Sequence, residues 1–175
     1  MTEHMKNQRR IILCGGLFFF GFLCAVFTLR ACPPVFSDSV SSFFETLFFA
    51  DTAVSVPLFV SSWAVLLALF GLSPFGSPFV LLLDFSAGSA FGLLACSFFL
   101  LYGFRFLFLA FLGIVFFCYL LISASVFRIS SQLFSLVRSA SLRLPDLRYA
   151  IFRVLFTMVI LGASAVCLSL SYRGP

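Results

Sequence analysis

Five stretches of the chain are almost continuously apolar, at about residues 11–29, 53–72, 79–102, 106–127 and 150–172. A helix needs about 20 apolar residues to cross the hydrocarbon core of a bilayer. Backbone groups in lipid must bond within the protein, and the ten-residue alternation of a barrel strand is absent, so helices are predicted. The pattern therefore predicts an all-α, polytopic membrane bundle of five transmembrane helices. It forms one domain, at 11–172, with short tails at 1–10 and 173–175.

Two connecting segments are amphipathic and predict helices at the membrane interface. In the outer loop 31–52, one face is apolar and either packs against the bundle or docks an extracytoplasmic partner. This face consists of Phe36, Val40, Phe43, Phe44, Leu47 and Phe48, and all of these but Phe43 are candidate docking residues. In the loop 128–149, apolar residues again recur at three- and four-residue steps, which predicts a helix on the cytoplasmic membrane surface. We expect Pro145 to end that helix.

The composition excludes several classes of protein. The chain is 62% hydrophobic and 10% charged, whereas a soluble domain has about 25% charged residues. A soluble enzyme, a disordered tail and a small secreted disulfide scaffold are therefore excluded.

The basic residues predict the orientation of the bundle, because Lys and Arg in short loops favour the cytoplasm. With the N-terminus inside, the inner segments hold Lys6, Arg9, Arg10, Arg128, Arg138, Arg143 and Arg148. The outer segments hold Arg30, Arg105 and Arg173. This asymmetry predicts an inside N-terminus and an outside C-terminus. The basic residues do not form the cluster with exposed aromatics that a nucleic-acid site requires, so no nucleic-acid partner is expected.

The first apolar stretch has an alternative explanation, since Leu29, Arg30, Ala31 and Cys32 loosely resemble a lipoprotein cleavage box. The stretch is longer than the roughly 7–15 apolar residues of a signal peptide. Arg30 also takes a place that such boxes give to a small or neutral residue. A retained transmembrane helix is the preferred interpretation.

Two charged residues lie inside predicted spans, Asp84 in the third and Arg153 in the fifth. A charge at a span's centre costs about 2.5–3.5 kcal/mol on insertion scales. Both spans enter from the cytoplasm, which places the two charges at similar depth. We hypothesise that Asp84 and Arg153 pair; alternatively, Arg153 extends to the headgroups, and Asp84 caps a helix or bonds a neighbouring serine.

The third span also carries a face of small residues. Gly88, Gly92 and Cys96 follow Asp84 at four-residue steps, so the four residues share one helix face. A GxxxG pair lets a neighbouring backbone approach closely. We expect this face to pack against another helix of the bundle, and the bulky Phe residues to face lipid.

Residues with catalytic or metal-binding chemistry are scarce. The cysteines at 14, 24, 32, 96, 118 and 167 form no CxxC pair. No HExxH, Walker A, GxSxG or paired-carboxylate motif occurs. We therefore expect no enzyme activity, catalytic residue, cofactor, metal or small-molecule substrate, and membrane lipid is the expected surrounding partner.

Three short motifs resemble stage II sporulation protein M of endospore-forming bacteria. They are LFGLSPFGSP at 69–78, DFSAGSAFG at 84–92 and YGFR at 102–105. The resemblance extends over about half of the chain, from Phe49 to Leu133. It matches structural positions of the family at Gly71, Pro74, Gly76, Pro78, Gly88, Gly92 and Gly103, the first four of them in a turn between two spans.

The resemblance implies a non-catalytic membrane scaffold in the bacterial cytoplasmic membrane. Such a scaffold recruits or anchors membrane-bound peptidoglycan hydrolases or septal proteins at the sporulation septum during engulfment. The alternative is a small transporter or permease subunit, which would need a polar path and, usually, internal repeats or broken helices.

Overall fold

The chain forms a bundle of long α-helices in a computed structural model, which describes residues 3–31, 38–40, 42–43, 55–102, 106–139 and 144–172. The long helices are α1 (Glu3–Ala31), α2 (Ser55–Gly71), α3 (Gly76–Tyr102), α4 (Phe106–Ser139) and α5 (Leu144–Tyr172). Residues 38–40 and 42–43 are also helical. The predicted all-α class is confirmed, since every described residue outside the turn at 72–75 is helical.

Three helices are long and apolar enough to cross a membrane, within the part of the chain that the structure describes. Their apolar portions are Gln8–Ala31, Gly76–Leu100 and Phe108–Phe134. Two shorter apolar portions, Pro57–Gly71 and Ile151–Cys167, lie in α2 and α5. These helices are compatible with a multi-pass membrane protein.

Three predicted helix boundaries differ from those in the structure. The segment 128–139, predicted to begin a separate surface helix, continues α4 without a break. Pro145 lies in the first turn of α5, where its missing N–H costs no helical hydrogen bond. Likewise, α1 begins at Glu3 and takes in most of the predicted tail 1–10. Charged residues mark a membrane boundary, but they do not interrupt the i to i−4 bonds of a helix.

The directions of the helices follow from residue contacts along their lengths. Phe18 of α1 lies against Gly88 of α3, and further along both helices Phe22 lies against Gly92. The two helices therefore run parallel. Helix α4 runs antiparallel to α1, since Arg10 meets Ser131 near one end, whereas the ring of Phe18 packs edge-on against Phe116 and at a tilt against Tyr119.

An aromatic cluster fills the space between α1, α3 and α4. The ring of Phe18 lies 5.7 Å from that of Phe91 and 5.3 Å from that of Tyr119, and Phe91 and Tyr119 are 5.9 Å apart. The expectation that Phe residues face lipid is therefore met only in part. Buried rings include Phe98 and Phe108, whereas exposed rings include Phe19, Phe20, Phe117, Phe152 and Phe156.

Candidate functional site

Asp84 is fully buried in the first half of α3 and is bonded to a serine of α4. The Ser123 hydroxyl donates a 2.7 Å hydrogen bond to Oδ2 of Asp84. Ser123 is also fully buried. Because a hydrogen bond shielded from water is electrostatically stronger than one at the surface, this contact is a strong link between α3 and α4.

Two further polar side chains lie around this carboxyl group. The Cys14 thiol of α1 lies close enough to Asp84 to interact with it. The buried Tyr119 lies one helical turn before Ser123 on α4. Neither Asp84 Oδ1 nor the Tyr119 hydroxyl has a hydrogen-bond partner among the described residues. The site is thus a small polar cluster, defined by Cys14, Asp84, Tyr119 and Ser123, where three helices meet.

The structure does not bring Asp84 and Arg153 together. Arg153 lies on the exposed side of α5, beside the buried Val154 and Thr157. It forms no ion pair with any acidic side chain in the described ranges. The hypothesis that Asp84 pairs with Arg153 is therefore not supported. The partner of Asp84 is a serine, Ser123 of α4. Asp84 is buried where α3 meets α4, whereas the Arg153 side chain is exposed on α5.

The small-residue face of α3 packs directly on the backbone of α1. A Cβ added to Gly88 would collide with the carbonyl oxygen of Phe18, and one added to Gly92 would lie 2.8 Å from that of Phe22. Gly21 contributes from the other side, since its own added Cβ would collide with the Phe85 carbonyl. The Ser89 hydroxyl donates a 3.2 Å hydrogen bond to the Gly21 carbonyl.

These contacts hold α1 and α3 together through the close approach of small residues that is typical of helix pairs in membrane proteins. Cys96, at the end of the same face, is half-buried. The close approach of the two backbones therefore depends on glycine at Gly21, Gly88 and Gly92.

The turn between α2 and α3 is anchored to α4. The Ser130 hydroxyl donates a 2.9 Å hydrogen bond to the Ser73 carbonyl and accepts a 3.1 Å bond from Ser77. Added Cβ atoms would collide with Val126 at Gly71 and with the Phe70 carbonyl at Gly76. Pro74 lies within the turn and Pro78 lies in the first turn of α3. The motif at 69–78 is thus a tight turn seated on a neighbouring helix.

Most of the predicted docking face lies outside the part of the chain that the structure describes. Phe36, Phe44, Leu47 and Phe48 lie outside the described residues, as does Gly103. Val40 is described and packs, half-buried, against the core.

Three residues of the polar contacts described above were not identified from the sequence. Tyr119, Ser123 and Ser130 are fully buried on α4. They follow one another at four- and seven-residue steps, the spacing of a single helix face. Polar residues recurring at this spacing within an apolar span are the signal that could have identified them. In the described part of the chain no three His, Cys, Asp or Glu residues are grouped to hold a metal ion.

No family model, curated protein or solved structure matches the chain.

Proposed function

We propose that all five helices cross the membrane, with the N-terminus inside and the C-terminus outside. The parallel packing of α1 and α3 supports this topology. Two consecutive spans run antiparallel, so parallel α1 and α3 require the chain to return across the membrane between them. Helix α2 is the element available for the return, and its 17 residues reach the lower limit of about 17 for a span.

The polar contacts at one end of the bundle support the same orientation. The α2–α3 turn, Arg10 and the Ser130–Ser131 pair all meet there. This end carries the basic residues that favour the cytoplasm.

We further propose that the protein is a non-catalytic membrane scaffold of the stage II sporulation protein M type. The observation that carries this proposal is where the resembling motifs lie in the fold. The motif 69–78 is the turn anchored by Ser130, and the motif 84–92 supplies both Asp84 and the glycines against α1. Residues that hold helices in fixed positions are what a scaffold requires, because it must present a constant surface to its partners.

The test follows the protein through growth and sporulation in an endospore-forming host. A fluorescent protein is fused to the N-terminus, which the proposed topology places in the cytoplasm. We expect the fusion to appear after sporulation begins and to gather at the septum. Crosslinking followed by purification in mild detergent should recover a membrane-anchored peptidoglycan hydrolase or a septal protein. An unrelated polytopic protein with the same tag is the control.

Two results would contradict the proposal. Even distribution and constant expression, with recovery of an ATPase or a solute-binding protein, would favour the transporter alternative. Recovery of no septal partner, under conditions that preserve other septal complexes, would remove the scaffold role and leave the membrane bundle.

A further inference from the structure

We propose that Asp84 binds a proton in the folded bundle, which makes the stability of the bundle depend on pH. The site is the polar cluster of Cys14, Asp84, Tyr119 and Ser123 described above. The proposal rests on the burial of these side chains and on their contacts. It depends neither on the scaffold role nor on the number of spans.

The carboxyl group of Asp84 is removed from solvent and from cationic side chains. Asp84 is fully buried, and no Lys, Arg or His side chain in the described ranges forms an ion pair with it. An ionised carboxylate in such surroundings is so costly that the group takes up a proton and becomes neutral instead. The burial and the lack of a counter-charge therefore favour the protonated form.

The groups that face Asp84 do not take the place of a cation. Helix α1 contributes the Cys14 thiol, and α4 contributes the hydroxyls of Tyr119 and Ser123. A thiol, a phenol and an alcohol are ordinarily neutral at neutral pH. Helix α2, the third element packed against α3, has no titratable side chain between Ser55 and Gly71. Protonation of Asp84 thus leaves the whole cluster uncharged.

The two oxygens of the carboxyl group have different partners, which indicates the position of the proton. Oδ2 accepts the 2.7 Å hydrogen bond from Ser123, whereas Oδ1 has no partner among the described residues. A protonated carboxyl group has one O–H donor and keeps a carbonyl acceptor. With the proton on Oδ1, Oδ2 is the carbonyl oxygen and the bond from Ser123 is retained. The buried Tyr119 hydroxyl, which also lacks a partner in these ranges, offers an acceptor in the same cluster.

The sign of the pH dependence follows from the proton that is lost on unfolding. An exposed aspartate loses its proton at about pH 4, so above this pH the unfolded chain is charged at Asp84. The folded chain keeps the proton, and stability therefore falls as pH rises. This group should raise the unfolding equilibrium constant about tenfold per pH unit, until folded Asp84 itself ionises.

The first experiment detects the proton by infrared spectroscopy of the purified full-length protein in an uncharged detergent. A carboxylic acid has a carbonyl stretching band that a carboxylate lacks. At neutral pH we expect one such band that disappears in Asp84→Asn and persists in Asp38→Asn, since Asp38 is exposed. In Ser123→Ala the band should move to higher frequency, because the carbonyl loses a hydrogen bond.

Labelling of aspartate with ¹³C in the wild-type chain assigns the band without any substitution. The absence of a carboxylic acid band that responds to this label would show that Asp84 is ionised, and it would overturn the proposal. A labelled band that persists in Asp84→Asn would place the proton on another aspartate, with the same consequence.

The second experiment measures unfolding by a chemical denaturant in the same detergent, between about pH 5 and pH 8, where exposed carboxyl groups are already ionised. The wild type and Asp38→Asn should lose stability with rising pH more steeply than Asp84→Asn. The difference should approach tenfold in the unfolding equilibrium constant per pH unit. Circular dichroism checks that each variant retains its helices. Equal slopes in the wild type and Asp84→Asn would overturn the pH dependence assigned to this site.

Discussion

The hydroxyl of Ser123 and the carboxyl group of Asp84 are joined by a 2.7 Å hydrogen bond inside the bundle. Both residues are fully buried, and no cationic side chain in the described ranges pairs with the carboxyl group. The most polar group in the apolar interior is therefore held by a neutral donor. Each helix supplies one partner, so the bond also sets how α3 and α4 align.

Removal of the Ser123 hydroxyl should destabilise the bundle. Ser123→Ala leaves a buried carboxyl group without this donor, which costs about 1–3 kcal/mol. The matched control is Ser125→Ala, because Ser125 is also buried on α4 but bonds the Leu121 carbonyl of its own helix. Unfolding in mixed micelles measures both variants.

A double-mutant cycle isolates the contact. Once Asp84→Ala has removed the acceptor, Ser123→Ala should have little further effect. Equal losses of stability in the Ser123 and Ser125 variants would contradict a special role for this bond.

The carboxyl group of Asp84 should be replaceable by an amide without loss of stability. Asp84→Asn keeps an oxygen acceptor for Ser123 and removes a buried ionisable group that has no cationic partner in the described ranges, so we expect unchanged or higher stability. Thermal unfolding in detergent measures the variant beside Asp84→Ala, which removes the acceptor as well. A loss of stability in Asp84→Asn as large as that in Asp84→Ala would show that the carboxyl group itself is required.

A methyl group at Gly88 should separate α1 from α3. The added Cβ would collide with the Phe18 carbonyl, a backbone atom that cannot rotate away. We expect Gly88→Ala to cost about 1–3 kcal/mol, as overpacking of a close contact does. Gly113→Ala is the control, since nothing lies within 4 Å of an added Cβ there. It should be neutral or slightly stabilising, because alanine favours helix more than glycine does. Matching effects in the two variants would be inconsistent with the close contact.

The anchor of the α2–α3 turn should depend on Ser130. Ser130→Ala leaves the Ser73 carbonyl and the Ser77 hydroxyl without their common partner. We expect a loss of about 1–3 kcal/mol and faster proteolysis within the turn. Ser62→Ala is the control, because Ser62 is exposed and bonds its own helix. The anchoring role would be excluded if Ser130→Ala left both stability and cleavage at the level of this control.

The side of the membrane on which the turn lies distinguishes five spans from three. Phe75 is 65% exposed in the turn, so Phe75→Cys in a cysteine-free background provides a labelling site. With five spans and an inside N-terminus, a membrane-impermeant maleimide should label this cysteine only after the cytoplasmic side is opened. A chain that crosses only with α1, α3 and α4 would instead be labelled from outside. Arg173→Cys is the control. In the five-span topology this position lies outside, so the maleimide should label it without opening of the cytoplasmic side.

The sequence by itself determined the helical class and identified three segments, in α1, α3 and α4, that are long and apolar enough to cross a membrane. Both properties are local. Each backbone group of a helix bonds a residue four positions away, and hydropathy is a property of each side chain, independent of the rest of the fold. The glycine spacing of α3 likewise predicted a close contact, because residues four apart lie on one face. Pro145 and the arginines after Phe127 were misleading, since a proline is accepted in a first helical turn and charge does not end a helix.

Tertiary structure alone decided which residues meet. The sequence placed Asp84 and Arg153 at one depth, yet the partner of Asp84 is Ser123. Depth is only one coordinate, and the order of the helices and their rotation about their own axes depend on packing across the whole bundle. The parallel pairing of α1 with α3 arises in the same way. It depends on three glycines, two on α3 and one on α1, that let the backbones touch. The glycine spacing predicts a close contact, but it does not say which helix, about 70 residues away, is the partner.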